Sequence, residues 1–483
     1  MKVAFLASEA VPFAKTGGLA DVVGSLPRYL GQLGLEIVLF LPFYQEIQKK
    51  NWPLNLTAEL HLDWQGKPVI VPLWEYKSPE LRVLFIQNDN YYFRDGLYGT
   101  ASGDHPDNGE RFAFYSLAAL EAMRAVNFQP DIIHAHDWQA ALSLAYLRYN
   151  YHREAFFSET RSLFTVHNLA YQGIFPAEII SRVGLPQDVF RLEEMEFFGR
   201  VNFLKAGLVY SNAISTVSPT YSREIQEPDN GCGLDGVLRQ RASVVFGILN
   251  GIDTSSWDPE KDPLLPYRFS PKDLTGKRRC KEVLFRQFGF SLVDIDRPLV
   301  GLVTRLADQK GLDIVVSSLE NLFSLDLRLV ILGQGDKKYH DLLAALQLEK
   351  KSHLGVRIAF DEALAHLIIA GSDLFLIPSR YEPCGLTQMY SLRYGTIPVV
   401  RAVGGLADTI QEFDPATLKG NGFRFKEYSA AALVEALKKA LPIYEQASLW
   451  GSLIRNAMAA DFSWERAARE YVELYQRLFN IDL

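Results

Sequence analysis

The chain is poor in cysteine, with only Cys232, Cys280 and Cys384 among its 483 residues. Three widely spaced thiols fit neither a disulfide framework nor a zinc site, and they suit a reducing compartment. No run of about 18 apolar residues is present, so no membrane span is predicted. Met1-Lys2 leads directly into an apolar run, with no signal or transit segment ahead of it. These absences predict a soluble, cytoplasmic protein.

Excess positive charge is also absent. Fifty lysines and arginines face 57 aspartates and glutamates, which gives a net charge of -7. This balance argues against nucleic acid or an anionic membrane as a partner. Internal repeats and low-complexity tracts are lacking as well. The composition is ordinary for a globular protein, and the length is too great for one core, so two domains of about 200 to 250 residues are predicted.

Short apolar runs alternate with amphipathic stretches from end to end, which is the βαβ rhythm of α/β proteins. Several runs are continuous rather than alternating, which favours strands buried on both faces of a parallel sheet. The sequence therefore predicts two Rossmann-like domains with parallel sheets that face each other across a deep cleft. The predicted strands are Lys2–Ala7, Glu36–Leu41, Leu81–Gln87, Asp131–His136, Ser162–His167, Ala213–Val217, Val244–Leu249, Leu299–Thr304, Leu327–Leu332, Val356–Phe360, Leu374–Ile377 and Ile397–Arg401.

The amino-acid composition of the sequence changes after Asp253. Residues 254–275 are rich in proline and aspartate and are read as a domain linker. The predicted domains are residues 1–253 and residues 254–460, each of them Rossmann-like. A helix near Ser463–Phe479 occupies a terminal segment, residues 461–483. In such folds ligands bind at the carboxyl ends of the strands.

Two glycines follow the first predicted strand, in Lys15-Thr16-Gly17-Gly18-Leu19, with a helix expected to begin near Leu19. Glycine lets the backbone approach a ligand closely, and a helix amino terminus offers free N–H groups to an anion. Lys15 adds a positive charge. The segment predicts an anion-binding loop, with a flexible turn and a solvated lysine as the alternative. It is neither a phosphate-binding Walker loop nor a dinucleotide-binding fingerprint.

A second basic loop, with Arg305 and Lys310, follows the strand Leu299–Thr304. A diphosphate leaving group carries several negative charges, which a metal or paired cations must stabilise as the bond breaks. The alternative is two surface cations. The best candidates for metal ligands, Asp294 and Asp296, precede a strand instead of following one, and are read as a turn. No metal is therefore expected.

Histidines lie at the ends of two predicted strands. His134 and His136 are expected to share one strand face, but no further metal-ligand cluster is visible. A polar lining of the cleft is favoured for this pair, with Asp137 as a hydroxyl acceptor. His167 ends another strand. A lone strand histidine is often structural, but its position at a strand tip favours a functional role.

Turn-forming residues and a carboxylate coincide in the segment Pro378–Gln388. Glu382 lies in a tight proline-bounded turn, and Gly385-Leu386-Thr387 is expected to open the next helix. A carboxylate there can accept sugar hydroxyls, while the amides at the start of the helix can bind phosphate. The alternative is a Pro/Gly-rich loop with an exposed glutamate.

Nine segments resemble, in the same order, bacterial glycogen synthase and plant starch synthase. They are Lys15–Val22, His136–Gln139, Val166–Gly173, Thr216–Pro219, Gly233–Gly236, Leu249–Asp253, Gln309–Gly311, Tyr381–Gln388 and Gly404–Thr409. The resemblance implies a GT-B fold in which residues 1–253 form the acceptor-side domain and residues 254–460 the nucleotide-sugar donor domain. It also implies that the terminal helix, in residues 461–483, crosses back to the first domain. It also implies an ADP-glucose:α-1,4-glucan 4-α-glucosyltransferase that elongates glycogen or starch at the non-reducing end, with retention of configuration. ADP-glucose and a maltooligosaccharide or α-glucan are then its partners, with no metal or other cofactor. Association of the cytoplasmic protein with glucan granules is left open by the sequence.

The resemblance also assigns residue roles. Arg305 and Lys310 hold the diphosphate in place of a metal, Glu382 binds glucose hydroxyls, and Asp137 lies near the acceptor glucan. The implied catalytic residues are His167, Arg305, Lys310 and Glu382. The implied donor-binding residues are Lys15, Gly18, Asn250, Arg305, Lys310, Phe360, Glu382, Cys384, Gly385, Leu386 and Thr387.

Two positions depart from the patterns of related enzymes. Tyr390 stands eight residues after Glu382, where the wider retaining GT-B group often has a second glutamate, so a ribose contact by that carboxylate is absent. Phe360 stands where relatives often have an adenine-stacking tyrosine, and it lacks the hydroxyl. Two rival functions remain. A glucan phosphorylase needs a lysine-bound pyridoxal phosphate and a longer chain. A non-catalytic glucan-binding protein does not need the basic and acidic side chains present here.

Overall fold

The computed structural model describes residues 1–100 and 102–480, which form two compact units. The first unit combines Met1–Gly251 with the helix that begins at Trp464, and the second unit is Ile252–Ser463. The last helix therefore packs with the unit that holds the start of the chain. Within the described residues, no helix has the length and apolar character needed to cross a bilayer.

The first unit is built around a nine-stranded sheet in the order β14-β13-β9-β8-β1-β2-β5-β4-β3. Its strands from β14 to β5 run parallel, and β4 and β3 add an antiparallel edge. The strands of this unit are β1 Lys2–Leu6, β2 Glu36–Pro42, β3 Leu54–Trp64, β4 Lys67–Lys77, β5 Arg82–Ile86, β6 Gly99–Thr100, β7 Gly103–Asp104, β8 Ile132–His136, β9 Arg161–Val166, β10 Ile174–Phe175, β11 Glu196–Phe197, β12 Arg200–Asn202, β13 Ala213–Thr216 and β14 Val245–Gly247.

Helices connect these parallel strands. Strand β1 is followed by α1, which buries Leu19, Val23 and Leu26 on one face. The helices of this unit are α1 Gly18–Gln32, α2 Gln45–Gln48, α3 Asp89–Tyr92, α4 Asn108–Ala125, α5 Asp137–Tyr149, α6 Ile179–Arg182, α7 Phe203–Tyr210, α8 Pro219–Glu224 and α9 Asp235–Gln240, with 3-10 turns at Ala155–Phe157, Gln187–Val189 and Ala242–Val244.

The second unit has a six-stranded, fully parallel sheet in the order β17-β16-β15-β18-β19-β20. Its strands are β15 Leu299–Val303, β16 Arg328–Gly333, β17 Leu354–Ile358, β18 Leu374–Ile377, β19 Ile397–Arg401 and β20 Phe423–Phe425. Strands β16 and β18 are buried along their whole length, as expected for a parallel sheet covered on both faces.

Helices link the strands of the second unit in the same alternating manner. They are α10 Thr275–Phe288, α11 Leu312–Phe323, α12 Lys337–Glu349, α13 Glu362–Gly371, α14 Thr387–Arg393, α15 Gly404–Thr409, α16 Ala430–Tyr444 and α17 Ala447–Ala459, with 3-10 turns at Leu292–Asp294 and Asp308–Lys310. The terminal helix of the chain is α18 Trp464–Leu478. The predicted α/β class with parallel sheets is confirmed.

Residues 254–275, predicted to be a domain linker, belong to the second unit. Trp257 stacks between His366 and Tyr390, with ring centroids 3.8 Å from each. Asp262 is buried and accepts hydrogen bonds from Tyr394 and His366, both at 2.7 Å. This proline-rich stretch is therefore packed against the second unit as part of its structure.

Candidate active site

Glu9 organises the loop between β1 and α1. Its buried carboxylate accepts hydrogen bonds from the backbone N–H of Thr16 and of Gly17, and from the Thr16 hydroxyl at 2.7 Å. The Tyr98 hydroxyl donates a further bond of 2.5 Å. These contacts fix the Lys15–Gly18 loop from beneath, so its shape is set before any ligand arrives.

The two glycines of this loop are not required by the fold of the chain itself. A Cβ atom at Gly17 or Gly18 would meet nothing within 4 Å, and Gly17 has an extended backbone. Helix α1 begins at Gly18, one residue before the predicted start. The open space above the loop suits close approach of a ligand to the backbone. Lys15 is half-exposed and pairs with Asp21 at 2.7 Å.

Asp137 lies between the carboxyl ends of β8 and β9. It begins α5 with a φ of 55°, a left-handed conformation that is uncommon for a residue other than glycine. Its Oδ1 accepts the backbone N–H of His167 at 2.7 Å. Burial raises the pKa of this carboxyl to about 7. The structure therefore brings two predicted site residues into direct contact.

A chain of buried histidines runs from this contact into the core. His136 Nδ1 lies 3.0 Å from His167 Nε2. The His134 ring lies 4.1 Å from that of His136, so the two share a strand face as predicted. Burial lowers the pKa of His167 to about 3 and that of the other two well below the ordinary value. All three are therefore neutral at pH 7.

The predicted polar lining at His134 and His136 is wrong, since both side chains are fully buried. His134 bonds to Thr165 at 2.6 Å and to the hydroxyl of Tyr475 on α18 at 2.8 Å. Its role is to connect the terminal helix to the sheet. The sequence could not reveal this, because Tyr475 is 341 residues away.

Asn250 ends the first part of this unit and is buried. Within the described residues, its Oδ1 atom has no hydrogen-bond partner. A buried polar atom without a partner costs free energy, and an amide oxygen of this kind is able to accept a hydrogen bond. Its predicted contact with sugar stays a prediction.

In the second unit, the structure brings Lys310 and Glu382 together. Lys310 Nζ donates to Glu382 Oε2 at 2.6 Å, and the side chains are only 18% and 9% exposed. The Ser379 hydroxyl donates to the same oxygen at 2.8 Å. The two residues follow different parallel strands, β15 and β18, which are neighbours in the sheet. An ammonium and a carboxylate thus lie side by side at one sheet edge.

Close backbone packing fixes the Glu382 turn. Gly404 has a φ of +43°, and a Cβ there would lie 1.9 Å from the Glu382 carbonyl oxygen. A Cβ on Gly405 would lie 2.1 Å from the carbonyl oxygen of Cys384, and one on Gly311 2.1 Å from that of Pro378. Only glycine fits at these three positions. The loops that carry Lys310 and Glu382 are therefore held in fixed positions relative to each other.

The other predicted donor residues of the second unit differ in environment. Arg305 is exposed and donates to Gln309 at 3.0 Å. Phe360 is 87% exposed. Cys384 is buried, and Gly385 adopts a φ of +70° just before α14 begins at Thr387, one residue after Leu386. Their contacts with a nucleotide stay predictions.

The aspartates weighed as metal ligands are engaged in ion pairs. Asp294 pairs with Arg328 at 2.8 Å, and Asp296 pairs with Arg278 at 2.9 Å. Among the described residues there is no cluster of three or more histidine, cysteine or carboxylate side chains able to hold a metal. The prediction that cations act in place of a metal therefore depends on Arg305 and Lys310.

Both halves of the chain match families of known proteins. A family model described as the starch synthase catalytic domain matches residues 2–240, and one described as glycosyl transferases group 1 matches residues 286–456. The glycogen synthase of Anaeromyxobacter dehalogenans strain 2CP-C is 48% identical over 480 residues, which cover 99% of this chain and 100% of the relative. That of Koribacter versatilis strain Ellin345 is 46% identical over 478 residues, 99% of this chain and 98% of the relative.

Solved structures agree with this. The catalytic domain of starch synthase IV from Arabidopsis thaliana, bound to ADP and acarbose, matches with a TM-score of 0.91 at 36% identity over 99% of both chains. Sucrose-phosphate synthase from Thermosynechococcus elongatus, at 18% identity and a TM-score of 0.61 over 99% of both chains, shares the fold alone. Two parallel-sheet units with sites at their strand tips define a glycosyltransferase of the GT-B fold. The chain belongs to the starch synthase and glycogen synthase family.

Proposed function

We propose that this chain elongates an α-1,4-glucan by transferring glucose from ADP-glucose to the non-reducing end, with retention of configuration. The observation that carries the proposal is the Lys310–Glu382 pair, which places a cation and a hydroxyl acceptor 2.6 Å apart at a strand tip. A nucleotide sugar needs both, because its diphosphate is anionic and its glucose is rich in hydroxyls. The relative from Arabidopsis thaliana was solved with ADP and acarbose bound, which supports both a nucleotide and a glucan-like ligand.

The diphosphate is stabilised by Lys310 and Arg305 in the proposed reaction. A lysine ammonium carries three N–H donors, so Lys310 can keep its bond to Glu382 and bind phosphate oxygens at the same time. Arg305 follows the same strand and offers a guanidinium suited to bidentate contact with phosphate. The paired cations take the role that a metal serves in other transferases. The reaction therefore needs no metal in this proposal.

The first unit contributes neutral and weakly acidic groups for the acceptor. His167 is uncharged at pH 7, so it does not repel a developing positive charge on the sugar ring. The pKa of Asp137 is about 7, so this carboxyl exchanges a proton readily near neutral pH. In its ionised form Asp137 accepts a hydrogen bond from a hydroxyl of the acceptor glucan. Lys15 and Gly18 offer a charge and an uncrowded backbone to the donor.

Retention follows from a front-face displacement. The bond between glucose C1 and the β-phosphate oxygen breaks as the acceptor O4 bonds to C1 on the same face. The O4 proton passes to the departing phosphate oxygen, so ADP itself serves as the base. Stabilisation of that leaving group by Lys310 and Arg305 then lowers the barrier most.

Release of ADP tests the proposal. Purified protein incubated with ADP-glucose and maltooligosaccharides is expected to release ADP and to lengthen the oligosaccharides one glucose at a time. Chelating agents are expected to leave the rate unchanged. The proposal fails if ADP is not released with any glucan acceptor.

Donor choice is tested separately with UDP-glucose on the same primer. ADP-glucose is expected to give the higher kcat/KM. A strong preference for UDP-glucose would overturn the donor assignment and would make Phe360, which stands in the adenine-stacking position, the first residue to replace.

A further inference from the structure

Phe198 projects from the tip of a small hairpin in the first unit. The hairpin is formed by β11 and β12, in which Phe197 pairs with Arg200. The Phe198 side chain is 82% exposed, and its ring meets that of Phe197 edge-on at 4.7 Å. A large aromatic side chain in this position leaves most of its apolar surface in water.

The backbone at this tip makes the choice of phenylalanine more unusual. Phe198 and Gly199 form a two-residue turn with φ values of 51° and 77°. Hairpin turns with two positive φ values favour asparagine, aspartate or glycine at the first position. Phenylalanine there is strained as well as exposed, and a backbone outlier of this kind points to function.

The hairpin tip is joined to the segment that carries His167. A Cβ on Gly233 would lie 3.0 Å from the Phe197 ring and 3.4 Å from the Phe198 ring. The neighbouring Cys232 carbonyl accepts a hydrogen bond of 3.1 Å from Gln172, whose side chain also donates to Leu169. Cys232 and Gly233 therefore connect the hairpin tip to Gln172, which lies in the segment after strand β9.

A second exposed aromatic ring lies in that same segment. Tyr171 is 53% exposed and directly precedes Gln172. The faces of glucose rings are lined with C–H groups, which pack well against aromatic rings. Two outward-facing rings connected to the acceptor side of the first unit match a ligand made of repeated sugars.

We propose that Phe198 and Tyr171 form a binding site for the α-glucan chain at glucose units beyond the reacting end. This inference rests on the proposed function, because the polymer is the acceptor of that reaction. The two rings hold the polymer while the terminal glucose turns over, so they act on long acceptors and not on short ones. Two rings offer too little area for a stable protein interface, which buries about 1,200 Å² or more.

The test replaces Phe198 by asparagine, which removes the ring but tolerates a positive φ. Apparent KM is measured for glycogen and for maltotriose at saturating ADP-glucose, and glycogen binding without donor is measured by affinity electrophoresis. For Phe198→Asn the KM for glycogen is expected to rise about tenfold, with kcat and the KM for maltotriose unchanged. Phe198→Tyr, which keeps a ring, is expected to restore glycogen binding. Phe479→Ala, which removes another exposed phenylalanine, is the matched control.

Tyr171→Ala provides a second, independent variant, and thermal unfolding checks that every variant is folded. The inference is overturned if glycogen binding and its KM are unchanged in both Phe198→Asn and Tyr171→Ala. It is also overturned if the KM for maltotriose rises as much as that for glycogen, since the rings then act at the reacting end. Loss of self-association with unchanged glycogen binding would instead assign the surface to a second copy of the chain. Activity of the unmodified protein on maltotriose keeps these outcomes separate from failure of the proposed function.

Discussion

Lys310 and Glu382 depend on each other, because each is largely removed from solvent and neutralises the other. Replacing Lys310 by alanine leaves a buried carboxylate without its cation and removes a charge from the proposed leaving-group site. We expect kcat to fall by a factor that corresponds to about 3 kcal/mol of barrier. Steady-state kinetics of ADP release measures this effect.

The matched control is Lys338→Ala. Lys338 also pairs with a carboxylate, Asp308 at 2.6 Å, but both side chains are more than half exposed. Exposed pairs contribute little, so its turnover is expected to match the unmodified protein. Unchanged turnover in a folded Lys310→Ala variant would remove Lys310 from the reaction.

Glu9 is a positioning residue whose importance the sequence does not reveal. Its partners are 7, 8 and 89 residues away, and a single glutamate after a strand carries no distinctive signal. The residues that were predicted, such as Lys310 and Glu382, lie in motifs where charge, glycine and turn residues coincide. Contacts between distant segments are what sequence reasoning could not supply.

Glu9→Gln tests this role. The neutral amide replaces one acceptor oxygen by a donor, which faces the N–H groups of Thr16 and Gly17, so the loop is expected to shift. We expect a lower kcat with glycogen affinity nearly unchanged, and a loss of about 1–3 kcal/mol in unfolding free energy. Glu36→Gln, at an exposed position, is the control. Equal loss of turnover and glycogen affinity would contradict a role confined to the Lys15–Gly18 loop.

At the scale of elements, continuous apolar runs were the most informative part of the sequence. Strands β16 and β18 were predicted to within one residue, because a run buried on both faces is bounded sharply by turn residues. Strand β17 was placed two residues late, since its last residues are only partly buried. The hairpin β3–β4 was not predicted. It lies at the edge of the sheet with one face exposed to solvent, so apolar and polar residues are mixed along it and no continuous apolar run is present.

Loop shape is set by glycines on a neighbouring element. The backbone of Gly404, at the start of α15, passes so close to the Glu382 carbonyl that a Cβ would lie 1.9 Å away. In Gly404→Ala the clash and the positive φ of 43° must displace the glutamate turn. We expect lower activity and a lower unfolding temperature, measured by ADP release and by calorimetry.

Gly451→Ala is the matched control within the same unit. Gly451 lies inside α17, and its nearest neighbour to a new Cβ is 3.5 Å away. Alanine is favoured over glycine in a helix by about 1 kcal/mol, so this variant is expected to be as stable as the original or more so. A Gly404→Ala variant that keeps full activity would show that the glutamate turn adapts to the added methyl group.

At the scale of the whole molecule, the chain leaves the first unit at Gly251 and returns to it at Trp464. The returning helix α18 packs on α1 and reaches the sheet through the bond from Tyr475 to His134. Because the second unit lies between these two segments of the chain, the first unit is complete only after the second has been synthesised. The stability of this unit is linked to His134, which α18 covers, and to His136 and His167, which lie next in the same row of buried rings.

This linkage predicts how stability depends on pH. Burial lowers the pKa of His134, His136 and His167 below the ordinary value of 6.5. The stability that they contribute is present above pH 6.5 and is lost as the pH falls towards about 3, because the unfolded chain binds protons that the folded one cannot. Asp137 acts in the opposite direction, because its pKa is raised from 3.8 to about 7, so the stability that it contributes grows as the pH falls from 7 to 3.8 and is fully present below 3.8. His167, whose pKa falls to about 3, therefore contributes a loss of stability towards acid.

Urea unfolding at pH 7.5 and pH 5 measures the effect in the unmodified protein and in His167→Gln. The variant cannot take up a proton at position 167, so its loss of stability between the two pH values is expected to be smaller. His61→Gln, at an exposed position on β3, is expected to behave like the unmodified protein. Identical pH dependence in all three proteins would mean that His167 gains a proton in the folded state as easily as in the unfolded state, and that its burial does not contribute to acid sensitivity.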